Sequence, residues 1–341
     1  MPILTTEKLI IALKKLNDYI ANPDEGFKNL IFSAQNSNAW FTVDETQRSL
    51  NALHKMLNQQ DLETWFENIR ITENPKKVGL ILAGNIPLVG FQDVLSVLAT
   101  GNIALIKLSS SDDKLLPALL AQLVIIEPQL AEHIIYVDRL KDFDAVIATG
   151  SNNTSRYFDF YFGKFPNIIR KNRNSIAVLN GQESPAEIAL LGHDIFDYFG
   201  LGCRNVSKLF IPEDYDIKNF FEPLESFKEI INHFKYNNNY DYNKSIYLVN
   251  MAEHYDNGFL LLKADTGMSS PLAVLYYERY KNIDDVAEKL KAQEENIQCV
   301  VSNIPFELKT GVQAFGESQS PKLWDYADNV DTIAFLKTIT R

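Results

Sequence analysis

The chain has 341 residues, 46% of them hydrophobic and 23% charged, with a formal net charge of −11. Those proportions describe an ordinary soluble globular chain long enough for one large or two medium domains, and the acidic balance excludes a nucleic-acid surface, which needs a basic face. Two cysteines, Cys203 and Cys299, exclude a disulfide framework and fit a reducing compartment, so a cytoplasmic protein is expected.

Thr6 to Ile20 reads as a helix with Leu9, Ile10, Leu13, Leu16 and Ile20 on one face, ended by Asn22-Pro23-Asp24-Glu25-Gly26. Met1 to Lys14 lacks the basic, apolar and cleavage regions of a signal peptide. A second helical region, Asp44 to Ile71, carries Leu50, Leu53, Leu57 and Trp65 and stops before Asn74-Pro75. From Lys77 strands and helices alternate. Val78 to Leu82 is a strand, Ala83-Gly84-Asn85-Ile86-Pro87 a loop, Phe91 to Ala99 a helix and Ile103 to Leu108 a strand. Asp112 to Val124 follows as a helix, then strands at His133 to Val137 and Ala145 to Ala148, the last ending at Thr149-Gly150-Ser151. Such alternation implies an open parallel sheet covered on both faces, with ligands beyond the carboxyl ends of its strands. Val78 to Leu108 is the most apolar region, but Asn85, Pro87, Gln92, Asp93 and Asn102 interrupt it, so no membrane span is expected. There is no G-x-G-x-x-G fingerprint and no P-loop.

A second sheet region begins at Ile176 to Leu179. An apolar helix from Glu187 to Phe199 leads to Gly200-Leu201-Gly202-Cys203-Arg204-Asn205, and Val206 to Ile211 alternates like a strand. A thiol among glycines at a helix-to-strand junction has open backbone around it. The neighbouring Arg204 and backbone dipoles favour its thiolate, so Cys203 is a candidate nucleophile. The competing reading is a small side chain filling a core corner, as Cys299 does within Gln298-Cys299-Val300-Val301. The asparagine-rich stretch Tyr236 to Asn243 reads as a surface loop. Strands at Ser245 to Val249, Leu260 to Lys263 and Leu272 to Tyr276, a helix at Ile283 to Gln293 and an ordered, turn-rich tail complete the chain. The five histidines are scattered without zinc-like spacing, so no metal site is expected. Taken alone, Asn85 caps a turn, Lys107 snorkels from a strand end, Thr149-Gly150-Ser151 is a plain turn, His193 is a packed residue and Arg204 pairs with a carboxylate.

Four segments, in this order, resemble the aldehyde dehydrogenase superfamily. Ala83-Gly84-Asn85-Ile86-Pro87 is similar to its P-W-N-F-P loop, whose asparagine amide serves the oxyanion hole. Thr100-Gly101-Asn102 with Ile106-Lys107-Leu108-Ser109 resembles A-G-N…V-K-P-S, where the lysine contacts the adenosine ribose. Ala148-Thr149-Gly150-Ser151 resembles the F-T-G-S loop near the cofactor pyrophosphate, and Gly202-Cys203 falls at the family's nucleophile. Within the superfamily, the short length, the Gly-Leu-Gly-Cys-Arg-Asn context and the tail Gln319-Ser320-Pro321…Asp325-Tyr326-Ala327-Asp328 resemble the LuxC-like acyl-CoA reductases.

The resemblance implies an aldehyde-dehydrogenase-like α/β fold of two lobes with open, largely parallel sheets and an N-terminal helical segment. The expected divisions are 1–75 helical, 76–175 nucleotide-binding, 176–310 catalytic with Cys203, and 311–341 a tail. It implies Cys203 and Asn85 as catalytic residues, and Ala83, Gly84, Lys107, Ser109, Thr149, Gly150 and Ser151 as the cofactor site. The implied reaction is reduction of a fatty acyl thioester to the aldehyde through a cysteine acyl-enzyme, with NADPH as donor and NADH as the other candidate. Acyl-CoA is the expected substrate, and a homodimer and an acyl-donor partner protein are the expected protein partners.

Two departures matter. Ile169 occupies the position of the family's water-activating glutamate, and an isoleucine cannot accept a proton. The E-x-F-G-P motif is reduced to Ser269-Ser270-Pro271, and Leu108 replaces the proline after Lys107. The alternatives are a cysteine-dependent acyltransferase or thioesterase without nicotinamide, and a non-catalytic acyl- or nucleotide-binding protein of the same fold.

Overall fold

Each opening helix has an apolar stripe at helical spacing and a polar residue at its start to take an unpaired N–H. Thr5 caps α1 (Thr6–Ala21), which buries Leu9, Leu13, Leu16 and Ile20. Asp24 caps α2 (Glu25–Ser33), Thr42 caps α3 (Val43–Met56), and Asn58 caps α4 (Gln59–Phe66). The expected helical region over Asp44 to Ile71 holds two helices: the Asn58 side chain accepts from Asp61 N at 2.9 Å and starts the second. The computed structural model describes residues 4–340. Residues 1–3 and 341, the outer ends of the expected helical segment and tail, lie outside the described residues.

Among the described residues, 4–172 and 320–340 form one unit, and residues 173–319 a second. In the first, β1 (Lys77–Ile81), α5 (Phe91–Ala99), β2 (Ile103–Lys107), α6 (Leu115–Ile126), β3 (Ile134–Tyr136), β4 (Ala145–Thr149), α7 (Asn152–Phe162) and β5 (Asn167–Arg170) succeed one another. The sheet runs β3-β2-β1-β4-β5 with every neighbouring pair parallel. Val78, Leu80, Ala104 and Ile106 on its strands share one core with Leu9, Leu13, Leu50, Val94 and Leu119 from the helices. The chain leaves β1 to one side, reaches β3, and returns to place β4 on the other side of β1, so strand order reverses there.

The second unit holds β6 (Asn174–Val178), α8 (Pro185–Phe196), β7 (Val206–Pro212), α9 (Lys218–Phe221), α10 (Phe234–Val249), β8 (Tyr255–Asp256), β9 (Leu261–Ala264), β10 (Val274–Tyr280), α11 (Ile283–Ala292), β11 (Ile297–Ser302) and β12 (Val312–Gln313). Its sheet runs β12-β11-β6-β7-β10-β9-β8 and is parallel except for β8 against β9. Alternation sends Ala177, Leu209, Ile211 and Cys299 to one face, against Ile188, Leu191 and Ile195 of α8. Ile176, Val178, Phe210 and Val300 face the other way, against Val286 and Leu290 of α11. The chain then rejoins the first unit with α12 (Thr332–Ile339).

One expectation fails plainly. Tyr236 to Asn243 is not a loop and Ser245 to Val249 is not a strand; both lie in α10. Tyr236, Tyr240, Asn243 and Tyr247 fall at helical spacing and are buried, and packing of that stripe outweighs the weak helix preference of asparagine. The α/β architecture with open, largely parallel sheets and an N-terminal helical segment is as expected.

Candidate active site

In the first unit the parallel register aligns the carboxyl ends of three strands: Ile81 pairs with Lys107 of β2 and with Ala148 of β4. The loops after them therefore leave one edge of the sheet, at and beside the point of reversal. Ala83 and Gly84 follow β1, Lys107 ends β2 with Ser109 two residues on, and Thr149 ends β4 before Gly150 and Ser151. A Cβ added at Gly84 would lie 2.5 Å from Ser109 Oγ, so two of these loops pack with no room for a side chain between them. Ser151 caps α7, its Oγ accepting from Thr154 N at 3.3 Å. The Gly150 N–H is turned toward Arg170 C=O, at 3.4 Å. The positive end of α7 and the close-packed backbone at Gly84 fit the pyrophosphate and ribose of a dinucleotide.

Asn85 is exposed on the bend after β1. The backbone beyond it is fixed at two points: Pro87 C=O accepts from Ser49 Oγ at 2.7 Å, and Leu88 N–H donates to Asp112 Oδ2 at 2.8 Å. These bonds hold Leu88 at φ 60°, a left-handed conformation that costs a non-glycine residue about 1–2 kcal/mol. Burial pushes the Asp112 carboxyl up, against the N–H groups it accepts from. Neither Ser49 nor Asp112 carried a motif that sequence reading could use.

In the second unit Cys203 is exposed on a turn between α8 and β7, closed by Asn205 N–H to Gly202 C=O at 3.0 Å. The core-filling reading belongs to Cys299, which is buried and whose thiol burial pushes up to about 11, although Arg204 pulls it down. The turn is reached through Tyr198, Phe199 and Gly200 at φ 54°, 57° and 78°. Two bulky residues in left-handed geometry persist only where their surroundings hold them. Here both are buried, and the Phe199 ring lies 4.3 Å from that of His233. The buried Asn205 side chain accepts from Gly202 N at 2.8 Å and donates to Asp197 C=O at 2.8 Å and Asp194 C=O at 3.2 Å. Ser175 Oγ on β6 donates to Cys203 C=O at 2.9 Å. Sequence reading singled out the hexapeptide but gave Asn205 no part in holding it, and missed Ser175, which lies 28 positions before Cys203.

Around this turn, Asp194 of α8 accepts from Gly316 N at 2.6 Å and Ser318 N at 3.0 Å, and burial pushes its carboxyl up to about 6. His193 Nδ1 lies 3.1 Å from Asp197 Oδ1 with its ring against Phe227, which agrees with a packed, hydrogen-bonded residue. Among the described residues no group of three or more His, Cys, Asp or Glu side chains could hold a metal ion, and no helix is long and apolar enough to cross a membrane.

The fold is that of the aldehyde dehydrogenases. Aldehyde dehydrogenase 21 from Physcomitrella patens, solved with the reaction product succinate, superimposes with a TM-score of 0.66 at 12% identity, over 99% of this chain and 85% of that one. A Mycobacterium tuberculosis aldehyde dehydrogenase complexed with NAD+ gives 0.61 at 13% identity, over 88% and 73%. An oxidoreductase from Marinobacter aquaeolei gives 0.66 at 12%, over 94% and 80%. No curated protein matches the chain by sequence. Residues 43–212 match the acyl-CoA reductase (LuxC) family, a stretch that contains Asn85, Lys107, Ser109, Thr149 to Ser151 and Cys203. Over that stretch, just under half of its length, the chain is similar to the acyl-CoA reductases (LuxC), and it shares its fold with the aldehyde dehydrogenases.

Proposed function

We propose that this chain reduces a fatty acyl-CoA to the aldehyde and free coenzyme A, with NADPH as donor and NADH as the alternative. The observation that carries the reading is the exposed, backbone-clamped Cys203 within the stretch that matches the acyl-CoA reductases. The Cys203 thiolate attacks the thioester carbonyl, forming the S–C bond. The Gly202 C=O is bonded into the turn, so in a trans peptide the Cys203 N–H points the opposite way. That N–H is a proposed oxyanion donor, worth about 3 kcal/mol in such a role, and the resemblance gives the Asn85 amide its catalytic part. As the tetrahedral adduct collapses, the C–S bond to coenzyme A breaks and its thiolate leaves, taking up a proton.

When bound, the nicotinamide supplies the hydride that the acyl carbon takes up. Lys107 and Ser109, with Gly84, would hold the adenosine ribose of the cofactor, while Ala83 lines the same loop; Thr149, Gly150 and Ser151 at the start of α7 would hold the phosphates. The Cys203 sulfur departs as the aldehyde forms. With Ile169 at the position of the family's glutamate, no carboxylate there draws a proton from water, so hydrolysis of the acyl-enzyme is slow and reduction is the productive exit.

Mixing protein, acyl-CoA and NADPH should consume the absorbance of the reduced nicotinamide and yield aldehyde. Release of free thiol without NADPH consumption would identify an acyltransferase or thioesterase instead. Mass spectrometry after acyl-CoA alone should place the acyl adduct on Cys203, and no adduct would mark a mere binder. Cys203→Ala should abolish turnover and leave NADPH affinity unchanged; retained turnover rejects the nucleophile. A homodimer, carried by the resemblance, is checked by sedimentation.

A further inference from the structure

We infer that Asn205 and Ser175 are positioning residues that fix the Cys203 sulfur for attack, an inference that rests on the reading of Cys203 as nucleophile. Three successive peptide groups around that residue are tied down. The Leu201–Gly202 peptide is held through Gly202 N–H to Asn205 Oδ1 at 2.8 Å, and the Gly202–Cys203 peptide through Gly202 C=O to Asn205 N–H at 3.0 Å. The Cys203–Arg204 peptide is held through Cys203 C=O to the Ser175 hydroxyl at 2.9 Å.

Asn205 also reaches back to α8. Its Nδ2 donates to the carbonyls of Asp194, Ile195 and Asp197 at 3.2, 3.4 and 2.8 Å, at the C-terminal end of α8. A carboxamide presents an acceptor on one side and donors on the other, so this one side chain joins the end of α8 to the Cys203 turn. Tyr198, Phe199 and Gly200, all left-handed, lie in the chain between the two tied points, and a bond at each end keeps them from relaxing. Ser175 is fully buried, and its Oγ lies 3.0 Å from Cys299 Sγ. Since the hydroxyl has one proton and gives it to Cys203 C=O, the Cys299 thiol is the donor in that pair. The result is a relay from S–H to O–H to carbonyl. Cys299 thus has a use that does not involve thiolate chemistry.

Full-length Ser175→Ala and Asn205→Ala are compared with the parent by iodoacetamide alkylation of Cys203, mapped by mass spectrometry between about pH 6 and pH 9, and by kcat and KM with acyl-CoA and NADPH. All rates are taken per folded site. Loss of a clamp should lower kcat about tenfold or more while leaving KM for NADPH unchanged, and should raise the midpoint pH of alkylation by about half a unit. A purely structural role lowers the melting temperature and moves none of these. Variants that alkylate with the parent's pH midpoint and turn over within about twofold of it overturn the inference. If Asn205→Ala does not fold, Ser175→Ala, which removes one hydroxyl, decides by the same readouts. Turnover retained in Cys203→Ala would overturn the nucleophile and the inference with it, whereas parental behaviour of the Ser175 and Asn205 variants beside an inactive Cys203→Ala overturns the inference alone.

Discussion

Arg170 offers the sharpest test of how the first unit is held together. It ends β5 with its guanidinium buried, Nη1 2.5 Å from Asp93 Oδ2 on α5 and Nη2 3.2 Å from Thr332 Oγ1 on α12. Side-chain exposures of 5% and 9% leave neither charge open to water. Arg170→Met keeps most of the volume and removes the charge, stranding the Asp93 carboxylate. Breaking a buried pair from one side costs about 3–5 kcal/mol, and loss of the Thr332 bond adds about 1 kcal/mol. That is a large share of a domain's stability of roughly 5–15 kcal/mol. Removing both charges in Arg170→Met/Asp93→Leu leaves no stranded ion, so the double variant should recover most of the loss. All three tryptophans, Trp40, Trp65 and Trp324, lie in the first unit. Urea unfolding followed by their fluorescence therefore reads that unit alone, which avoids treating the whole chain as two-state. A loss below about 1 kcal/mol for Arg170→Met, or a double variant as unstable as the sum of the single ones, refutes the reasoning. Because Gly150 N–H faces Arg170 C=O, NADPH affinity should fall as well.

Another ion network lies in the second unit, where Lys208 is fully buried 2.8 Å from Glu278 Oε1, and Lys289 sits 2.8 Å from Glu278 Oε2. Glu278→Ala leaves the buried Lys208 with only the Asp265 carbonyl and its nearby carboxylate and should cost about 3 kcal/mol, whereas Lys208→Met leaves Glu278 paired with Lys289 and should cost less; urea midpoints in the reverse order reject this. Asp194 sets a pH dependence. Its carboxyl is raised from 3.8 to about 6 in the fold by burial, so the folded state holds the extra proton between those values. Its contribution is fully present below the unfolded pKa and is lost as pH rises through about 6, by at most about 3 kcal/mol. Asp194→Asn should remove that slope from plots of stability against pH, and an unchanged slope speaks against it. Gly84→Ala puts a methyl 2.5 Å from Ser109 Oγ. NADPH binding, read by fluorescence titration, should weaken about tenfold, roughly 1.4 kcal/mol, and unchanged affinity removes Gly84 from the cofactor site.

Local pattern determined a good deal. The strand–helix alternation from Lys77 gave the parallel sheet of the first unit and placed the loops at 83–85, 107–109 and 149–151 on one edge, because hydrophobic period and strand direction are local properties. A cysteine among glycines between an apolar helix and a strand was legible for the same reason, and it is exposed as a nucleophile needs to be. Tertiary packing decided the rest. Tyr236, Tyr240 and Tyr247 make a helix of an asparagine-rich stretch because burial of an aromatic stripe outweighs single-residue preference. Ser175, Asn205 and Asp112 reach backbone groups many residues away, and a hydrogen bond between distant positions leaves no period or spacing in the chain that could announce it. The sequence thus states where the reactive groups stand along the chain, while only the folded backbone, by bringing distant donors and acceptors within bonding distance, states how they are held.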